Sequence, residues 1–568
     1  MSSKTLAAFF LVASFWSVSS FAALDRVGDF ALLDNRGEFH QLSRYLHRDA
    51  LAIMSYSKDC STMEASVAEF QSLRSQFEAQ GVEFLLIDSL GLNRSNLNSL
   101  DMDLPVLEDG GQLISESLGI VQAGDVLVLN PQRLNLFYRG QLSSELGSTL
   151  SQILEDGVSD TVEFDSASPV DSSCAIEYAA KELHEISPPD YATDVAPIIV
   201  KTCTECHRQG GVGPFALDSY IMLLGWSPMI REVMLNKRMP PTQVDPYIGH
   251  SESARYLDPI DIQTVVHWID NGAPRGDGEI DPLEALEIAE AQPWLFGEPD
   301  YIVTGPENSI AATGVMDYIY DDVDLPFSED KWLRAVQYRA GDASVLHHLM
   351  TFVTAPEEDF WGEERSEDSV NRRFVEGYAP GKENAVEFES GTGVLIPQGH
   401  KLSMQFHYVT NGQATVDATE LGLYFSDQQN LREMRVQAVS SRFLLPANEP
   451  NHEMFAEHFF ENEVVLTGVR ARMNYRGKKM KFAVKYADGT TSDIFSVPAY
   501  NYGWQPHYLF EEGMRLPEGS TVQVIGAFDN SISNPSNPDP DKIVEFGLNS
   551  WEEMFSGYFS FYNPAVNE

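Results

Sequence analysis

Positive charge is scarce in this 568-residue chain: 38 Lys and Arg stand against 85 Asp and Glu, a formal net charge of -47. A field of that sign repels phosphate backbones and anionic membrane surfaces, which excludes nucleic acid as a partner. Cysteine is scarcer still. Four residues cannot staple a disulfide-dense scaffold, nor supply a four-thiolate iron–sulfur cluster once two of them serve another motif. Long apolar runs are also missing beyond the first 22 residues, so no transmembrane segment is expected in the mature chain. What is present is enough to build cores: 43% hydrophobic and 11% aromatic residues argue against a disordered chain. At roughly 150 residues per domain, the length suggests three to five domains.

Residues 1–22 read as a secretory signal peptide. Lys4 opens a short polar start, Leu6 to Val18 is mostly apolar, and Ser20-Phe21-Ala22 offers small residues where cleavage is read. The expected location is therefore periplasmic or otherwise exported. Four patterns follow. Residues 23–160 alternate apolar runs such as Val82 to Ile87 with the helix-like stretch Thr62 to Gln80, the signature of an α/β layer fold. Residues 161–190 read as a Pro-bearing linker, 191–280 as an all-α segment broken by Gly and Pro clusters, and 281–300 as a second linker. From 301 to 568 short β-like runs alternate with turn signals such as Asn411-Gly412, which predicts two all-β sandwich or jelly-roll domains, 301–435 and 436–568.

Cys203-Thr204-Glu205-Cys206-His207 is the c-type haem attachment pattern. Two thiols three positions apart can each add to a haem vinyl group, and the following His is held beneath the iron as proximal ligand. The plain alternative is a Cys203–Cys206 disulfide. For the sixth ligand, Met239 in Arg238-Met239-Pro240-Pro241 is favoured over His250, since the prolines restrict the backbone around it. Cys60 and Cys174 remain as a potential pair in an oxidising compartment. Cys60 also lies between a strand-like and a helix-like run, where a helix N-terminus can lower a thiol pKa, so a redox thiol and a structural cysteine both fit it. Two adjacent imidazoles, His347-His348, and a third in a separate strand, His407, can form a three-nitrogen site suited to copper, although a paired His taken alone is more often structural. Successive strand residues point to opposite faces, so His347 and His348 can share one ion only at a strand end or bulge.

These motifs carry a resemblance. Residues 24–142 resemble the redoxin branch of the thioredoxin fold, with Leu104 to Asp109 and Tyr138-Arg139-Gly140 as further matches, though Met63 stands where a second active-site cysteine would be. The haem segment resembles the cytochrome c module of a bacterial multidomain family, through Asp194 to Ile198, Gly213-Pro214-Phe215 and Trp268 to Pro274. Residues 300–568 look like the copper type II, ascorbate-dependent monooxygenases, the family of dopamine β-monooxygenase and the peptidylglycine hydroxylating enzyme. Stretches including Tyr502 to Gln505, Phe528 to Ser531, Asn537 to Pro540 and Trp551 to Met554 carry the match.

The resemblance implies an oxidoreductase in which a covalent haem c, held by Cys203, Cys206, His207 and Met239, feeds electrons to a copper at His347, His348 and His407. It also implies a second, oxygen-activating copper held by a His-x-His pair and a Met. Met554 matches that Met, but the His positions fall on Arg472 and Asn474. An arginine supplies a permanent cation and no lone pair. His452, His458 and His507 are the imidazoles left to substitute. The alternative reading is a non-oxygenating electron-transfer or ligand-binding protein; a third, a thiol peroxidase at Cys60, requires that thiol to be free. The substrate, small molecule or peptide, and the electron donor are not specified by any residue pattern.

Overall fold

The computed structural model describes residues 26–564, apart from 99–101, 157–161, 164–172, 210, 212, 242–243, 250, 252–253, 255–256, 287–293, 361–372, 380–384, 429 and 548. The proposed signal segment 1–22 and His250 therefore lie outside the described residues. Among those described, no helix is long and apolar enough to cross a membrane.

The first layer is α/β. Its sheet runs in the order Val106–Glu108, Val82–Asp88, Ala50–Tyr56, Asp125–Asn130, Asn135–Gln141, Val162–Glu163. Ala50–Tyr56 and Val82–Asp88 pair in parallel, joined by the helix Met63–Phe77, whereas Asp125–Asn130 and Asn135–Gln141 form an antiparallel pair. The central strand Ala50–Tyr56 is buried at every position, as a strand covered on both faces must be. A parallel β-α-β unit closed by an antiparallel pair, with Cys60 between the central strand and its helix, is a thioredoxin-like arrangement.

Beyond it come the helices Ala179–Ile186, Ala196–Thr202, Tyr220–Leu235 and Pro259–Asp270. They share a small core including Tyr191, Ile199, Leu223, Val265 and Trp268. This layer does not stand apart. Leu235 and Val266 pack into the core of the thioredoxin-like layer, and Val244 and Ala254 into that of the last β layer. A buried ion pair, Arg94 Nη1 to Asp245 Oδ2 at 2.6 Å, ties the first layer to the helical segment, and Asp245 N–H donates to Ser496 O of the last at 3.0 Å.

Two β sandwiches complete the chain. In the first, a four-stranded sheet ordered Ile319–Asp324, Lys401–Tyr408, Leu346–Thr354, Arg373–Tyr378 faces a six-stranded sheet built around Lys331–Arg339. In the second, a sheet ordered Arg435–Ser440, Ser556–Tyr562, Val464–Arg472, Tyr508–Leu516 packs on one ordered His452–Phe459, Thr521–Phe528, Gly477–Lys485, Thr491–Val497. The molecule is thus multidomain, thioredoxin-like at the start and rich in β-sheet after it, with few helices between.

Candidate metal centre and haem attachment site

Leu346–Thr354 and Lys401–Tyr408 are adjacent antiparallel strands, and their register slips between Leu346 and His348. That bulge is the irregularity that adjacent histidines need. His348 stands directly opposite His407, and the slip turns His347 toward the same point. Ligand nitrogens of all three approach within 4.8 Å of one another. His347 Nδ1 and His348 Nδ1 are 3.1 Å apart, close to the roughly 3.3 Å that separates two nitrogens bound about 2.0 Å from a tetrahedral ion. His348 Nε2 is buried with no hydrogen-bond partner among the described residues, so none of them repays its desolvation.

The imidazoles are held neutral. Burial, then the Arg472 charge, pushes His347 down to about 4; burial, then His347 and Arg472, pushes His407 down to about 3. His348 is driven well below its ordinary value, again mainly by burial. Neutral imidazoles keep the lone pairs that a metal requires. Aromatic rings enclose them: Tyr318 stacks on His407 with centroids 4.7 Å apart, and Tyr502 on His347 at 5.1 Å. The Tyr502 hydroxyl lies 3.3 Å from His407 Nδ1, and that of Ser550 lies 3.5 Å from His407 Nε2. Three neutral nitrogens, one without any partner, fit a transition metal, and copper among them.

The second expected copper seat does not fit. Arg472 ends the strand Val464–Arg472 and reaches into the first sandwich, with Nη1 2.8 Å from Met350 Sδ and Nη2 3.4 Å from both Tyr318 Oη and Gln405 Oε1. Met350 and Gln405 each lie two residues from His348 and His407 on the same two strands, so the guanidinium sits one step along the sheet from the three imidazoles. Asn474 follows the strand's end and turns elsewhere: its side-chain amide donates to Asn549 O at 3.0 Å and Glu552 O at 3.2 Å. Met554 is buried, and no hydrogen bond among the described residues brings it to Arg472 or Asn474. His507 cannot substitute, because its nitrogens face Glu376 Oε2 at 3.1 Å and Ser560 Oγ at 3.0 Å. His458 packs between Phe460 and Phe559, and His452 starts a strand of the opposite sheet.

At the haem motif, Cys203 and Cys206 are unbridged and partly exposed, and burial raises both thiol pKa values. The alternative Cys203–Cys206 disulfide is therefore not formed. His207 Nδ1 faces Phe215 O at 3.1 Å, which fixes the tautomer and leaves Nε2 as the nitrogen that would hold an iron. Gly213 permits this approach: a Cβ there would stand 2.7 Å from His207 Nδ1. Phe215 stacks on Trp226 at 4.1 Å and completes an aromatic wall. The donor set fits a covalently attached haem. Met239 stands on the loop after Tyr220–Leu235, 40% exposed, and no hydrogen bond among the described residues joins it to His207.

A cleft of about 380 Å³ lies where three layers meet, and neither the three imidazoles nor the haem-motif residues line it. Arg44, Glu232, Arg238, Tyr475, Lys478 and Tyr502 line it, drawn from the thioredoxin-like layer, the helical layer and the last sandwich. Tyr475 and Tyr502 are 4.4 Å apart by centroids, and Tyr502 is also the ring stacked on His347. Neither Tyr318 nor Tyr502 was singled out by the sequence pattern as a site residue; their roles depend on contacts across long chain separations.

Cys60 is bridged to Cys174. The free thiol required by a peroxidase reading is thus not present in this state, and the pairing with Cys174 is the one the structure adopts.

No protein-family model matches the chain, and no curated relative was found. Among solved structures it is similar to a hypothetical protein from Sinorhizobium meliloti 1021, with 17% identity, TM-score 0.23, and coverage of 28% of this chain and 96% of that one. It is also similar to the mitochondrial 2-cys peroxiredoxin from Plasmodium falciparum (15% identity, TM-score 0.20, 23% of this chain, 94% of that one). A thiol:disulfide interchange protein from Bacteroides sp. matches at 13% identity and TM-score 0.21, over 24% of this chain and 95% of that one.

Proposed function

We propose that the chain is an exported oxidoreductase that would hold one copper at His347, His348 and His407 and a covalent haem c at Cys203, Cys206 and His207, with Met239 as a further iron ligand. Its role is electron transfer within a monooxygenase-like framework, without the second, oxygen-activating copper. The observation that carries this reading is the convergence of three neutral imidazoles beside a guanidinium. The three nitrogens suit one ion, and Arg472 supplies charge where a second ion would need lone pairs. When bound, the haem and the copper each supply one-electron chemistry. The chain's own residues set the stage for it: Phe215 O orients His207, Tyr502 and Tyr318 fix the rings of His347 and His407, and the low imidazole pKa values keep protons off the donors. The Cys60–Cys174 bridge supports an oxidising compartment, in keeping with the signal-like start.

Metal analysis of exported, haem-loaded protein after copper loading and desalting tests this. One iron and one copper per chain is the expected result. Two coppers per chain, with ascorbate-driven oxygen uptake, would overturn it in favour of an oxygenase.

A further inference from the structure

The segment after Cys174 is not a slack linker. Ala175 pairs with Gln122 in an antiparallel bridge; Ala123 N–H donates to Cys174 O at 2.7 Å and Ile176 N–H to Val121 O at 3.0 Å. Residues 174–176 thus add a short strand to the loop that leads into Asp125–Asn130. Tyr178 Oη then donates to Ile120 O at 2.8 Å, and Ser61 N–H to Ser173 Oγ at 3.2 Å. The bridge ties this strand to the turn that precedes the helix Met63–Phe77. Cys60 and Cys174 are 5% and 6% exposed, yet Lys58, Asp59, Ser61 and Thr62 around them are exposed. Thr62 Oγ1 lies 3.4 Å from Cys60 Sγ and 3.9 Å from Cys174 Sγ, at the start of the 15-residue helix Met63–Phe77.

We infer that Cys60–Cys174 is a thiol–disulfide exchange site for a dithiol partner, and that its reduction releases residues 173–178 from the thioredoxin-like layer. A partner thiolate attacks Cys174 Sγ, the S–S bond breaks, and Cys60 leaves as a thiolate. The helix N-terminus and the Thr62 hydroxyl both stabilise that anion, which makes Cys60 the better leaving group. The partner's second thiol then attacks the mixed disulfide and frees Cys174. The partner ends as a disulfide, and two electrons and two protons pass to this chain. What the bridge holds is the approach to the helical layer. Directly after the segment, the helix Ala179–Ile186 places His184 Nδ1 2.8 Å from His267 Nδ1 on Pro259–Asp270, and His267 Nε2 lies 3.2 Å from Glu116 Oε2. The released strand would therefore loosen a contact between the thioredoxin-like layer and the haem segment. Nothing in this inference requires either metal centre.

The test uses the full chain with dithiothreitol as the dithiol, thiol trapping mapped by mass spectrometry, and amide exchange. Without denaturant, Cys60 and Cys174 should become alkylated together, and protection at Ala123 and Ile176 should fall by about tenfold or more while that of Ala50–Tyr56 is kept. Thr62→Val should slow the reduction about threefold or more with an unchanged melting temperature. Cys174→Ser, which never forms the bridge, should show the same local exposure without reductant. Reduction only at denaturant concentrations that unfold the layer, unchanged protection at Ala123 and Ile176 after reduction, or global loss of protection in Cys174→Ser would each overturn the inference.

Discussion

His348 carries a buried nitrogen that no group among the described residues satisfies, and one substitution there separates metal binding from mere packing. His348→Ala and His407→Ala are expected to weaken copper retention by on the order of a hundredfold, read as copper per chain after desalting. The same imidazoles set a pH dependence in metal-free protein. Folded His347 and His407 titrate near 4 and near 3, whereas an unfolded histidine titrates near 6.5. Between those limits the unfolded chain binds more protons, so stability falls as pH drops through 6.5 toward 4 and is unaffected above it. Denaturant midpoints of the metal-free protein across that range should show the loss, and His407→Phe should flatten it. Arg472 acts on the same site through charge. For a separation of about 7 Å, the span of two residues along a strand, and an effective dielectric near 20, a guanidinium disfavours an added positive charge by about 2 kcal/mol. Arg472→Met should therefore lower the copper midpoint potential by on the order of 100 mV, measured by spectroelectrochemical titration. The three histidines were legible as a set through the family resemblance, since an adjacent His pair by itself is more often structural than metal-binding. Arg472 was legible as a lost ligand, but not as a neighbour of Met350 and Gln405, because that contact spans two sandwiches.

At the scale of elements, the strand Leu346–Thr354 shows how far periodicity reaches. Alternation predicts that His347 and His348 diverge, and metal chemistry demands that they converge; the slip at Leu346 and His348 resolves the conflict. The need for an irregularity could be read, but its form could not, since register is set by the partner strand. The turn from the haem motif to Phe215 is a second example. Gly213→Ala would drive a Cβ against His207 Nδ1 and Cys206 O, at 2.7 and 2.9 Å. Covalent haem per chain should fall several-fold in that variant, measured by absorbance of the denatured, reduced protein, while copper content stays unchanged. The thioredoxin-like sheet was the most legible element, because its buried central strands are continuous apolar runs. The helical segment was less so. Its core is small and borrows from both neighbours, so no local pattern marks where Val244 or Leu235 packs.

For the molecule as a whole, the layers are joined by buried charge as well as by apolar contact. Arg94 meets Asp245 at 2.6 Å and Glu108 at 2.7 Å, and the Asp245 side chain has no solvent exposure. Removing one partner of such a pair strands the others, so Arg94→Ala should cost about 3–5 kcal/mol in chemical denaturation. The four cysteines carry a different consequence, one of timing. Cys60 and Cys174 are bridged while Cys203 and Cys206 are not, and the proposed haem attachment requires the latter two to stay apart, although four thiols allow three complete pairings. A chain that emerges from its N-terminus presents residues 60 and 174 before 203 and 206. If oxidation keeps pace with emergence, the correct pair has closed before its competitors arrive. A bridge between distant positions would thus keep Cys203 and Cys206 unpaired by being made early, and sequence order becomes a form of quality control.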